Sequence, residues 1–313
     1  MSARSTGNAM SAHRTPTDWA LFALLAFLWA SAFALTKVAV AGLPTGLIVF
    51  GRLAIATALL GTLMVLRGER FPPLANRSQW GLIVLMGTIG TAAPFYLLTT
   101  AQKDIDSALA AMLISATPLY VAALAHFRFA DEKMTWNKLL GIAVGFAGVA
   151  VLIGPDAVVA GFGSSSLIAQ LLVLAGGLCY SINTIFARGA PAISPSVLPT
   201  GFLGVAALAS LPMALTADYS GFEPGAMEIA ALIGLGALPT AAAGWMLMYM
   251  VARTDATFVS LTGYAIPIFA AGIGYFFLNE QLGWNMAVAL ALILAGVWLS
   301  QRRSKSESVK LAE

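Results

Sequence analysis

Ten long apolar runs follow one another through this chain of 313 residues, and they restrict its fold more than any other feature. A helix needs about 20 predominantly apolar residues to cross the hydrocarbon core of a bilayer. Runs of about that length occupy residues 19–37, 45–66, 79–101, 106–127, 137–154, 165–187, 196–216, 227–250, 256–278 and 283–300. The pattern predicts an all-α integral membrane protein with ten transmembrane helices.

The composition agrees with this interpretation. Hydrophobic residues make up 59% of the chain and charged residues only 10%, against about 25% charged residues in a typical soluble domain. The formal net charge of +3 is small, and the predicted spans contain no basic cluster. The expected partners are therefore the lipid bilayer and a small-molecule substrate, and no nucleic acid. The first run is expected to be a retained span rather than a cleaved signal peptide, because it is long and a similar segment recurs in mid-chain.

Lysine and arginine residues concentrate in alternate connections between the runs. If residues 1–18 are cytoplasmic, fourteen of these cations lie on the inner side and one, Lys103, lies on the outer side. Lys37 and Arg52 fall within spans. Because cytoplasmic connections are enriched in Lys and Arg, the bias predicts that residues 1–18 and the tail at 301–313 both face the cytoplasm.

The second half of the sequence repeats the first at an offset of about 148 to 155 residues. "FADEKMTWN" (129–137) matches "FLNEQLGWN" (277–285), and Thr91 through Tyr96 match Thr240 through Trp245. The motif "LPTG" opens both span two and span seven. Since five spans is an odd number, the second copy must enter the membrane in the opposite orientation. Its loss of lysines is what the positive-inside bias requires of an outer loop.

The repeat predicts two inverted five-helix units around a central cavity. Their expected bounds are 19–154 and 165–300, joined by an outer linker at 155–164. Inverted repeats are typical of secondary transporters, in which substrate binds near the midplane and one unit rocks against the other. Glu132 and Glu280 follow spans four and nine, and each is expected to cap the start of the next helix.

Several stretches also resemble a known family. "FLWASAFALTKVAV…LPTGLIVFGRLAIATALL" and "DSALAAMLISATPLYVAALAHFRFADEKMTWNKLLGIAVGFAGVAVLI" are similar to the ten-helix EamA-type branch of the drug/metabolite transporter superfamily. Within it, the chain is most similar to the YddG-type exporters of aromatic and other hydrophobic amino acids. The resemblance implies an exporter of the bacterial inner membrane with a central cavity. Span six departs from the pattern, because "LCYSINTIF" lacks the Trp and Lys of span one.

Candidate cavity residues are polar, aromatic or helix-breaking side chains within the spans. They are Ser31, Phe33, Lys37, Tyr96, Pro118, Tyr180, Asn183, Thr184, Trp245, Tyr264 and Pro267. Pro118 and Pro267 interrupt matched spans, and paired interruptions of this kind point to a transport site. Packing remains the alternative for each aromatic residue, and snorkelling to the interface is the alternative for Lys37. Arg52 is expected to be structural, capping carbonyls or bridging helices.

None of the fourteen acidic residues lies in the middle of a span. A cavity without carboxylates does not suit a cationic drug, and it offers no buried carboxylate for proton coupling. The leading prediction is a secondary exporter of amino acids. The alternatives are a nucleotide-sugar or phosphorylated-metabolite exchanger, which should carry several cations in the cavity, and an exporter of uncharged drugs.

An intramembrane enzyme is a remote alternative, because it needs a His partner for Ser, a buried Asp pair or a metal-ligand set. The only non-terminal histidine is His126, so no catalytic residue, metal or cofactor is predicted. Gly141 and Gly145 have the GxxxG spacing of close helix contacts. They favour packing within a monomer and leave a homodimer open.

Overall fold

A computed structural model of the protein describes residues 15–129, 134–154, 165–187, 193–194, 196–220, 222–254 and 256–301. Ten helices in these residues are long and apolar enough to cross a membrane. We call them spans one to ten, and their bounds are Pro16–Ala39, Thr45–Leu66, Arg77–Ala101, Ser107–Arg128, Trp136–Ile153, Ser166–Ala187, Val197–Leu215, Ala226–Met250, Phe258–Leu278 and Trp284–Gln301. The ten predicted spans are confirmed. Spans one to five form the first half and spans six to ten the second half.

Span one begins where its sequence provides a cap. The Thr15 hydroxyl accepts a hydrogen bond from the Asp18 amide (3.3 Å), and the Asp18 carboxylate accepts one from the Thr15 amide (2.9 Å). This reciprocal pair is a capping box. Pro16 follows at the first helical position, where its missing N–H costs nothing. These residues start the helix three positions before the apolar run.

Spans three and eight each contain a π-helical turn at equivalent positions. The turns cover Thr88–Ala92 and Gly236–Ala242. In each turn a threonine hydroxyl, of Thr91 or Thr240, donates to the carbonyl five residues earlier, at 2.8 and 2.6 Å. The sequence repeat pairs these two threonines. Single π turns inside α-helices are frequent at functional sites, so the pair of turns indicates a candidate functional region.

Spans four and nine are broken near their matched prolines, but not in the same way. Span four is broken between Ile114 and Thr117, so Pro118 lies in the first turn of the second segment. Span nine is broken at Leu261, and Pro267 lies inside the segment that follows. A proline in a first turn removes no helical hydrogen bond, whereas an interior proline removes one. The matched prolines therefore have different effects on the two helices.

The two most extensive contacts between the halves each pair a helix with its equivalent in the repeat, span two with span seven and span five with span ten. In the second pair the backbones touch. A Cβ on Gly296 would lie 2.5 Å from the Gly141 carbonyl oxygen and 2.6 Å from the Gly145 Cα. The GxxxG glycines of span five are thus used for packing inside one chain. The oligomeric state stays a prediction.

The end of the molecule predicted to face outward is held by Glu280. Its two carboxylate oxygens accept hydrogen bonds from the amides of Ser107 (2.7 Å) and Ala108 (3.0 Å) at the start of span four. Glu280 therefore caps span four of the other half, and the expectation that it caps span ten is wrong. The chain reverses at Asn279, which has a left-handed backbone (φ 55°), and this reversal turns Glu280 towards span four. Glu132 lies outside the described residues.

The end predicted to face inward is held by two polar contacts between the halves. Arg253 at the end of span eight pairs with Asp18 at the start of span one, at 2.7 Å. Glu69, which follows span two, accepts hydrogen bonds from the hydroxyls of Ser194 (2.7 Å) and Ser196. Hydrogen bonds from these hydroxyls hold the pKa of the Glu69 carboxyl below its usual value, and the bond from Ser196 has the larger effect. The halves are thus connected at both ends in this conformation.

Candidate functional site

Arg52 is a buried cation inside span two. It lies seven residues after Thr45, which is about 10 Å along the helix at 1.5 Å per residue, and its side chain is only 6% exposed. A charge at this depth is costly, and ionisable residues within membrane spans usually mark functional sites. The surroundings of the guanidinium are therefore the first place to look for a transport site.

The guanidinium of Arg52 bonds to the opposite half of the molecule. Its Nε and Nη2 donate to the Thr240 hydroxyl oxygen at 3.3 and 3.1 Å, and Thr240 belongs to the π turn of span eight. The prediction that Arg52 bridges helices agrees with this contact. The Phe95 ring, which follows the π turn of span three, has its centroid 4.0 Å from the guanidinium carbon. A desolvated cation–π contact of this kind contributes about 2 kcal/mol.

The charge on Arg52 has no carboxylate partner among the described residues. The neutral side chain of Tyr180 in span six is a further neighbour of the guanidinium. A guanidinium carries five N–H donors, and within the described chain the single acceptor is one neutral hydroxyl. We call Arg52, Phe95, Tyr180 and Thr240 the Arg52 site. It joins spans two, three, six and eight, and so includes side chains from both halves.

Asn183 extends this site along span six. It lies three residues after Tyr180 and therefore on the same face of the helix. Its Oδ1 is buried and has no hydrogen-bond partner among the described residues. The side chain fills the space beside Gly90, in the π turn of span three, where any added Cβ would overlap it. The π turns thus contact both polar groups, Thr240 reaching Arg52 and Gly90 adjoining Asn183.

Tyr96 is the third predicted cavity residue near the Arg52 site. It is partly buried beside Phe95 and packs on the same apolar cluster, which contains residues of spans two and seven such as Leu53 and Leu203. The sequence predictions of Tyr96, Tyr180 and Asn183 therefore point to one region of the structure. Whether the three contact substrate stays a prediction.

Lys37 is occupied elsewhere. Its ammonium donates to the carbonyls of Gln102 (3.1 Å) and Ile105 (2.8 Å), where span three ends and the chain turns towards span four. The Gln102 side chain in turn donates to the Phe33 carbonyl at 2.8 Å. Lys37 thus caps a helix end in this conformation and does not join the Arg52 site. The ring of Phe33 is buried in an apolar cluster.

The other predicted side chains have local partners. Ser31 and Thr184 donate to carbonyls of their own helices at 2.7 and 2.9 Å, and Thr184 is exposed. Trp245 is 37% exposed and stacks on Tyr249, with ring centroids 5.6 Å apart. Tyr264 donates to the Gln301 side chain at 2.9 Å, near the inner end of span ten. The structure does not bring these residues to Arg52.

Two members of the Arg52 site, Phe95 and Thr240, were not among the predicted residues. A signal for Thr240 was present, because the repeat aligns it with Thr91 in the middle of an apolar span. The sequence predicts a structural role for Arg52. It does not reveal that the guanidinium has no carboxylate partner among the described residues. Nothing in the sequence distinguishes Phe95 from the other members of the seventeen phenylalanines in the chain.

Comparison with known proteins gives the context for this site. The model of the EamA-like transporter family matches the chain twice, over residues 18–154 and 167–301. A probable terminal-alkyne amino-acid exporter of Streptantibioticus cattleyicolor is 28% identical over 91% of this chain and 93% of its own length. An uncharacterized inner membrane transporter of Escherichia coli, YedA, is 24% identical over 91% and 90%.

A solved crystal structure supports the fold. It superposes with a TM-score of 0.60 at 20% sequence identity and covers 91% of this chain and 97% of its own. The double match of the family model agrees with the two halves of five spans, and each match begins and ends within a few residues of one half. The chain is a multi-pass membrane protein of two inverted repeats, and it belongs to the EamA-like transporter family.

Proposed function

We propose that this protein is a secondary transporter that exports small metabolites, and that its substrates are aromatic or other hydrophobic amino acids. Transport proceeds by alternating access, in which the two halves rock around a site between them. In a bacterial cell the protein lies in the inner membrane with both termini in the cytoplasm. The named inner membrane relative and the distribution of Lys and Arg support this placement.

The observation that carries the proposal is one buried cation that bonds to the π turn of the opposite half and stacks on Phe95, three residues after the π turn of its own half. One turn belongs to each half, and Arg52 of the first half bonds to Thr240 within the turn of the second. A transporter with inverted repeats is expected to bind substrate where interruptions of the two halves meet near the membrane midplane. The link that Arg52 makes between the halves supports the Arg52 site as the place where substrate binds.

The chemistry of the site favours an amphipathic substrate with an apolar body. Rings of Phe95, Tyr96 and Tyr180 offer apolar surface, and Arg52 offers one positive charge. Asn183 offers an acceptor oxygen that has no partner among the described residues. Hydrophobic amino acids combine an apolar side chain with a carboxylate and an ammonium group. The similarity to a probable amino-acid exporter supports the same class.

A phosphorylated metabolite or a nucleotide sugar fits less well. A dianionic phosphate calls for more than one cation, and Lys37 is bonded to carbonyls at the outer end of span three. If the substrate were an uncharged drug, the free-energy cost of burying the Arg52 charge would serve no function. Both classes are therefore included as arms of the test.

The proposal is tested by counterflow in proteoliposomes that contain the purified full-length protein. Liposomes are loaded with unlabelled phenylalanine, leucine, glucose 6-phosphate or an uncharged drug, and uptake of the labelled compound is followed. We expect exchange of the two amino acids above the level of protein-free liposomes. Exchange of the sugar phosphate or the drug without exchange of any amino acid would overturn the proposal.

A further inference from the structure

We infer that Arg52 binds the carboxylate of the transported amino acid, and that the carboxylate does so by displacing the Thr240 hydroxyl; this rests on the function proposed above. The starting observation is an imbalance of charge. Arg52 is only 6% exposed, and within the described chain its guanidinium has one neutral acceptor, the oxygen of Thr240. A buried charge normally has an ionic partner or a full set of hydrogen bonds.

The geometry of arginine suits a carboxylate in particular. Its planar fork presents parallel N–H groups that match the two oxygens of a carboxylate. Here Nε and Nη2 of Arg52 both point to one hydroxyl oxygen, which a two-oxygen acceptor would replace with one bond for each nitrogen. The bonds to Thr240 carry a charge on the donor only, whereas a carboxylate adds the opposite charge and a second acceptor oxygen. A substrate carboxylate therefore competes successfully with Thr240.

Only the first of the two halves has a cation at this position of the repeat. The register of the "LPTG" motifs pairs Arg52 with Ala207 of span seven, a buried residue in the cluster beside the site. Phe95 covers the guanidinium on one side at 4.0 Å. One cation under an aromatic ring matches one anionic group attached to an apolar body. It does not match the two charges of a phosphate monoester.

Displacement of the Thr240 hydroxyl also links substrate binding to movement of the two halves. In this structure the Arg52–Thr240 bond connects span two of the first half to span eight of the second half. Thr240 uses its own hydrogen on the Leu235 carbonyl (2.6 Å), so it stays satisfied when the guanidinium leaves. Once the carboxylate holds Arg52, this direct connection between the halves is gone. Binding of substrate thus releases a contact at the centre of the molecule.

The test compares phenylalanine with phenylalaninamide, which has the same ring and amino group but no carboxylate. Inhibition of labelled phenylalanine counterflow by each compound gives the carboxylate preference of the wild type and of Arg52→Gln. We expect the wild type to prefer phenylalanine by about tenfold or more, and Arg52→Gln to lose this preference. A preference that survives in Arg52→Gln would overturn the inference, although the proposed function would stand. Absence of any amino-acid counterflow in the wild type would instead remove the proposed function.

Two further variants separate recognition from folding. Arg52→Lys keeps the charge but loses the fork, so we expect a raised KM with the carboxylate preference retained in part. Thr240→Val removes the competing acceptor, so its KM for phenylalanine should be equal to or lower than that of the wild type. Loss of the preference in Thr240→Val would assign carboxylate recognition to Thr240 and overturn the inference. These two variants carry the test if Arg52→Gln does not fold.

The source of the anionic group is tested with inorganic phosphate. Phosphate also binds arginine, so it is added at increasing concentration during phenylalanine counterflow. We expect no inhibition beyond that of an equal concentration of chloride. Competitive inhibition by phosphate that disappears in Arg52→Gln would replace the carboxylate with a phosphate ligand. Arg67→Gln, in the exposed connection after span two, is the matched control for loss of a positive charge.

Discussion

Glu280 reaches the start of span four because Gly274, six residues earlier in span nine, has no side chain. A methyl group on Gly274 would overlap the Glu280 carboxylate and would lie 3.4 Å from the Ser107 hydroxyl. The Glu280 amide bonds to the Gly274 carbonyl at 3.0 Å, so the two residues are also connected through the backbone. The carboxylate, the glycine and the first turn of span four therefore form one unit.

We predict that Gly274→Ala destabilises the protein through Glu280. Overpacking of this kind costs about 1–3 kcal/mol, and melting followed by intrinsic fluorescence in detergent would show a lowered Tm. Gly272→Ala is the matched control, because a Cβ on Gly272 meets nothing within 4 Å. In a Glu280→Ala background the Gly274→Ala change should cost less, since the overlapping group is gone. An equal cost in both backgrounds would contradict this explanation.

At the residue scale, the sequence predicts which types of side chain occur at the candidate site better than it predicts which side chains contact one another. Tyr96, Tyr180 and Asn183 are three of the eleven predicted cavity residues, and they lie on the helices around the Arg52 site. The partner of Arg52 could not be predicted, because a hydroxyl on another helix becomes a neighbour only through the packing of spans two and eight. The target of Glu280 was mispredicted for a related reason. A left-handed residue at Asn279 turns the carboxylate across the repeat boundary.

Spans five and ten pack backbone against backbone at their glycines. Gly141 and Gly145 face Gly296, and an added Cβ on Gly141 would lie 2.6 Å from the Gly296 carbonyl oxygen. Small residues allow such approach in membranes, where helix association depends on packing. The interface has no room for even one methyl group, so the two helices keep a fixed separation.

We predict that Gly296→Ala lowers the Tm of the protein, because its methyl group would separate spans five and ten. The expected cost is about 1–3 kcal/mol. Gly244→Ala in span eight is the control, since nothing lies within 4 Å of its added Cβ. Equal melting of Gly296→Ala and the wild type, measured by the same fluorescence method, would show that the helices can separate without cost.

At the element scale, the ten spans could be predicted from apolar length alone, and the N-terminal cap of span one moved its start by only three residues. The π turns of spans three and eight could not be predicted. A π turn changes the hydrogen-bond partner from the fourth to the fifth preceding residue, and the apolar pattern is the same for both. The matched prolines Pro118 and Pro267 were visible in the sequence. Their different effects depend on where each helix restarts, which composition does not encode.

The molecule as a whole has polar connections between its halves at both ends. Glu280 holds the outer end, while the Asp18–Arg253 pair and Glu69 hold the inner end. Alternating access requires that one end open while the other stays closed. Loss of a connection at one end should therefore favour opening at that end only.

We predict that Glu280→Gln and Asp18→Asn open opposite ends of the protein. Spin labels at Asp104 and Leu282 report on the outer end, and labels at Ala75 and Leu261 report on the inner end, both in a Cys179→Ser background. Pulsed electron paramagnetic resonance should show a longer outer distance in Glu280→Gln and a longer inner distance in Asp18→Asn. Glu223→Gln, an exposed carboxylate in the outer connection between spans seven and eight, should change neither. A change at both ends in either variant would contradict the assignment.

The glycine contact between spans five and ten has a mechanical consequence for this movement. Backbone against backbone leaves no flexible side chains to take up a displacement. If the halves rock as proposed above, we expect this contact to act as a fulcrum, around which displacement increases with distance. Helices beside spans five and ten should then move little, and the helix ends farthest from them should move most. The distance of each helix end from the glycine contact would therefore set how far that end opens.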